Sequence, residues 1–424
     1  MLLKVVFILC LILHSACASS EDPPVVTTSQ GRIVGTRFDF SPKDAKLHRS
    51  VDAFLGIPYA EAPVGPLRFK PPVAKSWSGE IQATELGNEC PQPVLMKFNK
   101  WSRPSDEDCL FIDVFVPKAL PPEAAVLVHI HGGAYMVGSG ILMGMYPTPT
   151  AAIGDVIVVT LNYRLGSLGF LSTNDDVIPG NMGLLDQRLA LEWVRDNIKA
   201  FGGDPERVAI YGESSGGVSV GLHMLSPGSA GLFRGAIMQS GNAACPRATM
   251  PASMAPSRAF GLGKLLGCEQ ETSLELLECL QKVEGSDTII ENQLQKLIEA
   301  LGGTELMTFG PVADGEIIPA NPDDLYAKGA INDAVSIVGA LADEGMIVVG
   351  NAFPNNTDEA PFVDSDTYDA QVQLYLTMIS SEPIVAEAVK MMYGNASCKD
   401  AQDCDYLESL SQVLGDVTFV CPGE

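Results

Sequence analysis

Histidine is scarce in this chain, with only five in 424 residues, His14, His48, His129, His131 and His223, so within these residues imidazole chemistry has only that short set to draw on. Basic charge is also in short supply. Lys and Arg total 27 against 52 Asp and Glu, a net charge of −25, and no basic run stands out. Nucleic acid is therefore not expected as a partner, because neutralising a phosphate backbone needs clustered cations. Such an excess of acid speaks to solubility and to encounter with ligands, not to chemistry. No segment approaches the ~20 apolar residues that a membrane-spanning helix requires. No cysteine pair has the spacing of a metal site, and neither a metal nor an organic cofactor is expected.

Residues 1–18 supply Lys4, an apolar run from Val5 to Leu13 and then Ala16-Cys17-Ala18. That order matches a secretory leader with a small-x-small cleavage site, which predicts cleavage after Ala18 and a secreted or lumenal protein. Of the ten cysteines, Cys10 and Cys17 fall within this leader. An oxidising compartment makes disulfides the expected state of the other eight. Cys90 with Cys109, Cys268 with Cys279, and Cys398 with Cys404 are the close pairs, and Cys245 and Cys421 remain. Sequons at Asn355 and Asn395 predict surface glycosylation.

Four short runs rich in β-branched residues read as buried strands: Val126 to Ile130, Val156 to Leu161, Val208 to Tyr211 and Val335 to Ala340. Between the second and third, Leu184 to Ala200 places Leu185, Leu189 and Trp193 on one face, with Ala190, Val194 and Ile198 beside them. Gly202 and Gly203 are expected to end that helix. Apolar strands alternating with amphipathic helices predict a doubly wound α/β sheet covered on both faces, with ligands beyond the carboxyl ends of its strands. The stretches Cys268 to Leu301, Tyr368 to Tyr393 and Leu407 to Leu414 read as helical and as a lid or flank over the sheet.

The apolar run Val208 to Tyr211 breaks into Gly212-Glu213-Ser214-Ser215-Gly216-Gly217. This G-x-S-x-G reads as a nucleophile elbow, a strand-to-helix turn that strains the serine backbone and holds its hydroxyl clear, with glycines where side chains would collide. A glycine-rich loop is the bland alternative for such a short motif. The strand Val126 to Ile130 runs into His131-Gly132-Gly133-Ala134. Gly132 and Gly133, together with the N–H of Ser215, suit an oxyanion hole for acyl transfer. Alone, His131-Gly132-Gly133 would be only a tight turn after a strand.

With their neighbours these motifs resemble the type-B carboxylesterase and cholinesterase family of α/β-hydrolases. The resemblance runs from Phe54-Leu55-Gly56-Ile57-Pro58-Tyr59-Ala60 and Leu67-Arg68-Phe69 through Ser105-Asp106-Glu107-Asp108-Cys109-Leu110, Asn162-Tyr163-Arg164, Pro179-Gly180-Asn181 and Asp186-Gln187. It continues with Phe201-Gly202-Gly203-Asp204-Pro205 into the elbow and Gln239-Ser240-Gly241. It implies an α/β-hydrolase fold over residues 19–424, a doubly wound, mostly parallel sheet with helices on both faces, C-terminally incomplete. It implies Cys90–Cys109 and Cys268–Cys279 disulfides, small carboxylic esters as substrates, and Glu344, in Asp343-Glu344-Gly345, as the acid of a Ser-Glu-His triad. On composition alone, Glu344 would be a solvated loop residue.

None of the five histidines suits the base. His14 leaves with the leader, His48 precedes the first family motif, and His129 and His131 belong to the strand and loop of the oxyanion segment. His223, nine residues past Ser214 on the following helix, lies more than ~10 Å away along it. In the family the base follows the region of Phe419-Val420-Cys421-Pro422, so the chain is expected to be a fragment whose base lies past Glu424. The family's acetyl-selective members carry aromatic residues at positions that match Arg247, Glu305 and Met307 here, which implies a general carboxylesterase. Trp101 is two residues out of register with the family's cation-binding Trp and reads as a packing residue. A non-catalytic adhesion module of the same fold is the competing expectation.

Overall fold

The computed structural model describes residues 22–43, 47–93, 104–141, 147–246, 248–293, 308–352, 362–376, 383–394 and 404–420. Strands β1 (Val25–Thr27) and β2 (Gly31–Val34) form a small sheet with β5 (Gly79–Gln82). The large sheet has eight strands: β3 (Thr36–Phe40), β4 (Arg49–Pro58), β6 (Phe111–Pro117), β7 (Ala124–Ile130), β8 (Ile157–Leu161), β9 (Gly203–Glu213), β10 (Gly235–Gln239) and β11 (Val335–Gly339). Their order is β11-β10-β9-β7-β8-β6-β4-β3. The five from β11 to β8 run parallel, and β6, β4 and β3 extend the sheet antiparallel.

Central strands are apolar on both faces because helices cover both. Every residue of β8 is buried, as expected when crossover helices flank a parallel strand. The helix Met182–Asn197 presents Leu184, Leu185, Ala190, Leu191, Trp193 and Val194 to the core, and Leu189 sits at its margin. A 3-10 turn, Ile198–Phe201, prolongs it to Gly202, whose φ of 90° takes the left-handed conformation that ends the turn. Gly203 does not share that role, since it opens β9.

Two charged pairs tie distant segments together inside the core. Arg164 forks onto Asp186 at 2.7 and 2.8 Å, with its side chain 3% exposed and that of Asp186 fully buried. Arg68 holds both carboxylate oxygens of Glu107 at 2.6 and 2.7 Å and donates to the carbonyls of Leu280 and Val283. Planar guanidinium groups suit such sites because one side chain satisfies several acceptors at fixed angles.

The structure corrects a second expectation. Val335 to Ala340 was expected to be a buried strand, but all five residues of β11 are exposed, Val335 by 78% and Ile337 by 61%. Composition proposes a strand, whereas burial needs neighbours, and β11 is the edge of the sheet. Beyond it, the helices Gly345–Ala352, Ser365–Leu376, Pro383–Tyr393 and Leu407–Gly415 bury Val349, Val363, Tyr368, Leu410 and Leu414 in an apolar cluster separate from the main core. In the Cys268 to Leu301 stretch the helices are Ser273–Leu280 and Ser286–Glu291, and residues from 294 lie outside the described set. No helix among the described residues is long and apolar enough to cross a membrane.

Candidate active site

Register brings the motifs together. Parallel pairing of β7 with β9 sets Ile130 beside Gly212, and β10 sets Gln239 beside Glu213. The segments that follow these strands therefore emerge at one edge of the sheet, where α/β folds gather ligands.

Ser214 sits between β9 and the helix Ser215–Leu225 with φ 57° and ψ −128°, a conformation that a non-glycine residue holds only when its surroundings impose it. Those surroundings are backbone at close range. A Cβ on Gly212 would lie 2.4 Å from the Gly216 carbonyl carbon, and one on Gly216 only 2.2 Å from the Ile130 oxygen. Gly241 closes the other side, where a Cβ would meet the Ser214 oxygen at 2.3 Å. The Ser214 N–H donates to Gln239 O at 2.9 Å, and its carbonyl accepts from Val218 N at 2.9 Å. The glycine-rich loop reading is thereby displaced by a strand-turn-helix elbow.

Gly132 lies across from the serine, where an added Cβ would sit 2.5 Å from Glu213 O and 3.3 Å from Ser214 Cβ. Gly133, at φ 111°, accepts from the N–H groups of Met136 and Val137, and Ala134 and Tyr135 follow at φ 54° and 59°. Tyr163 stacks on His131 with ring centroids 4.2 Å apart and donates its hydroxyl to His131 O at 2.8 Å. The Tyr135 N–H donates to Ser215 Oγ at 3.4 Å, which joins this loop to the helix after the elbow.

Glu344 is buried, and its Oε1 accepts from the Leu341 N–H at 2.7 Å. Its charge reaches Glu213, whose pKa is raised by desolvation first and by Glu344 second. Glu344 thus shares an electrostatic neighbourhood with the residue before Ser214. Sequence reasoning passed over Glu213, although it occupies the variable position of the G-x-S motif and stands 3.2 Å from a Cβ placed on Gly132.

The described histidines are engaged elsewhere. His223 Nε2 bonds Gln187 Oε1 at 3.0 Å and Nδ1 bonds Ser229 Oγ at 2.8 Å. Its burial, aided by Arg188, lowers its pKa to about 3. His131 turns Nδ1 to Gly132 O at 2.8 Å, and burial lowers it to about 3. His129 lies within β7 and burial lowers it to about 4, while exposed His48 bonds Ser41 Oγ at 2.7 Å.

Cys90–Cys109 and Cys268–Cys279 are disulfide-bonded, as the resemblance implied. Cys404 is also in a disulfide, and Cys245 is a half-buried thiol whose pKa burial raises. Trp101, Arg247, Glu305, Met307, Asn355, Asn395, Cys398 and Cys421 lie outside the described residues. Among the described residues no group of three or more His, Cys, Asp or Glu is arranged to hold a metal ion.

The sequence profile of the carboxylesterase family matches residues 22–424. The chain is 34% identical to a cholinesterase of Mus musculus over 428 residues, covering 98% of this chain and 69% of that protein. It is 35% identical to an acetylcholinesterase of Electrophorus electricus over 434 residues, covering 100% of this chain and 67% of the relative. An acetylcholinesterase of Danio rerio matches at 35% over 430 residues, 98% of this chain and 66% of its own length. The chain therefore spans about two thirds of the length of these relatives. With the elbow, the glycine loop and the mostly parallel sheet in place, the match over nearly its whole length shows that this chain belongs to the carboxylesterase family and has the α/β-hydrolase fold.

Proposed function

We propose that the protein is a secreted serine carboxylic-ester hydrolase working through an acyl-enzyme, with Ser214 as nucleophile. The observation that carries this reading is the strained Ser214 backbone facing Gly132 across a gap too small for a side chain. Ser214 Oγ adds to the ester carbonyl, and the charge that develops on its oxygen is met by the N–H groups of Gly132, Gly133 and Ser215. The alcohol leaves, and water then releases the acid. Glu344 is the triad acid, set to orient an imidazole.

We read none of the described histidines as that imidazole, since His48, His131 and His223 bond elsewhere and His129 is buried within β7. We read it as supplied from outside residues 1–424, with residues 19–424 forming one hydrolase unit and residues 1–18 a cleaved leader. Asn355 and Asn395 are read as glycosylation sites. The names of the relatives point to choline esters, whereas Arg247, Glu305 and Met307 favour a broader range of small carboxylic esters.

A longer chain that adds a downstream histidine should hydrolyse 4-nitrophenyl acetate, and Ser214→Ala should abolish this. Activity surviving in Ser214→Ala would refute the assignment. The second reading, a non-catalytic recognition module, draws on the engaged histidines, and a longer form that remains inert toward esters would favour it.

A further inference from the structure

The oxyanion loop has a second anchor far from it in sequence. Gln92 Nε2 donates to Gly138 O at 2.9 Å while its Oε1 accepts from Gly138 N at 2.9 Å, so one side chain satisfies both polar groups of that residue. The same Nε2 donates to Cys90 O at 3.1 Å. Gly138, at φ 122°, is wedged against the start of the loop, where a Cβ on it would stand 2.4 Å from His131 Nδ1 and 2.6 Å from Gly132 O. Gln92 thus grips the residue that abuts Gly132, the glycine facing Ser214.

The segment carrying Gln92 is itself firmly held. The Cys90–Cys109 disulfide lies two positions away. Gly140 N donates to Asn162 Oδ1 at 2.9 Å, and Asn162 Nδ2 donates to Asn88 O at 2.9 Å. The loop is therefore pinned at its start by the Tyr163 hydroxyl on His131 O and at its end by the Gln92 clamp.

We propose that Gln92 is a positioning residue for the oxyanion hole, transmitting the rigidity of the disulfide-bonded Cys90 segment through Gly138 to Gly132. The proposal rests on the ester-hydrolase reading of Ser214. Oxyanion donors act only when held close to the site of developing charge, within about 0.5 Å, and the loop's run of positive φ angles from Gly133 to Tyr135 has other conformations to relax into once the clamp is lost.

The test is acylation of Ser214 in the full chain by 4-nitrophenyl acetate, followed by intact mass. Ser214 Oγ bonds the acetyl carbon, 4-nitrophenolate departs with the bonding pair, and the serine proton passes to solvent. Gln92→Ala is expected to lower the limiting acylation rate by about tenfold or more with the half-saturating ester concentration unchanged. Gln92→Glu keeps the acceptor for Gly138 N but loses the donor to Gly138 O, and should fall between wild type and Gln92→Ala. Should Gln92→Ala fail to fold, Gln92→Glu alone decides, a wild-type limiting rate overturning the proposal. A wild-type rate in folded Gln92→Ala would overturn it, as would a loss explained by weaker ester binding. Where the unaltered chain is not acylated, the same comparison is made in the longer form that adds a downstream histidine, and no acylation of Ser214 there would instead overturn the ester-hydrolase reading on which it rests.

Discussion

Gly132 and Ser214 approach so closely that a single methyl group on the glycine would lie 3.3 Å from the serine Cβ and 2.5 Å from the carbonyl oxygen of Glu213. That contact joins the end of β7 to the elbow after β9, and it makes the glycine a steric requirement as well as a candidate donor. Gly132→Ala must push the loop away from Ser214. Its acylation by 4-nitrophenyl acetate should fall by about a hundredfold, the scale of losing one oxyanion donor. A wild-type rate in a folded Gly132→Ala protein would remove Gly132 from the site.

If an imidazole is what Ser214 lacks, a soluble one should substitute in part. Free imidazole added to the chain should raise Ser214-dependent release of nitrophenol with a saturating concentration dependence, after subtraction of the imidazole reaction with Ser214→Ala. Removing a triad member still leaves about 10³–10⁴-fold catalysis over water from the remaining groups. An effect equal in both proteins would show that added imidazole does not act on Ser214.

Acid should destabilise the fold through its buried imidazoles. Burial lowers His129 to about 4 and both His131 and His223 to about 3, against an ordinary 6.5. The folded state holds them neutral, whereas the unfolded chain protonates them below 6.5, so their contribution is intact above that pH and is lost as pH falls toward 3 to 4. Each removes up to about 1.4 kcal/mol per pH unit in that window. Melting at pH 7 and pH 5 should show the decline, and His223→Gln should make it shallower. An unchanged slope would mean that His223 is not a neutral buried group.

How much of this was legible beforehand depended on whether a feature is local. The elbow was readable because the strain at Ser214 is relieved only by glycines at fixed offsets, and Gly212 and Gly216 occupy them. The exposure of β11 was not readable, since Val335 and Ile337 look alike whether covered or at an edge. Gln92 left no signal either, because its role depends on Gly138, 46 positions away, and an isolated glutamine between two prolines carries no pattern. Glu344 is marked out by its motif, whereas Glu213, whose pKa is raised by desolvation and by Glu344, occupies a variable motif position that carries no pattern.

The Arg164–Asp186 pair offers a stability test away from the site. Asp186→Ala leaves a guanidinium in the core with its carboxylate removed, which should cost about 3–5 kcal/mol. Because Asp186 also accepts the Arg164 N–H at 3.0 Å, restoring neutrality alone will not recover the loss. Chemical denaturation of the variant checks this, and a cost below about 1 kcal/mol would contradict the burial of the pair.

The exposed strand should promote association. Val335 and Ile337 present one apolar face at 78% and 61% exposure on an edge strand, and such edges template pairing with other chains. Sedimentation of the chain should depend on concentration, and Ile337→Lys should reduce that dependence. Identical sedimentation of the two would clear β11 of the association.

The backbone of Ser214 has one more use. Its φ of 57° exists only while β7, β9 and β10 hold the elbow between Ile130 and Gly241. No local segment of the chain can impose that angle by itself, so the conformation of Ser214 is a reporter of completed sheet assembly. Time-resolved labelling of Ser214 during refolding would clock the moment at which residues 130, 212 and 241 first share a neighbourhood.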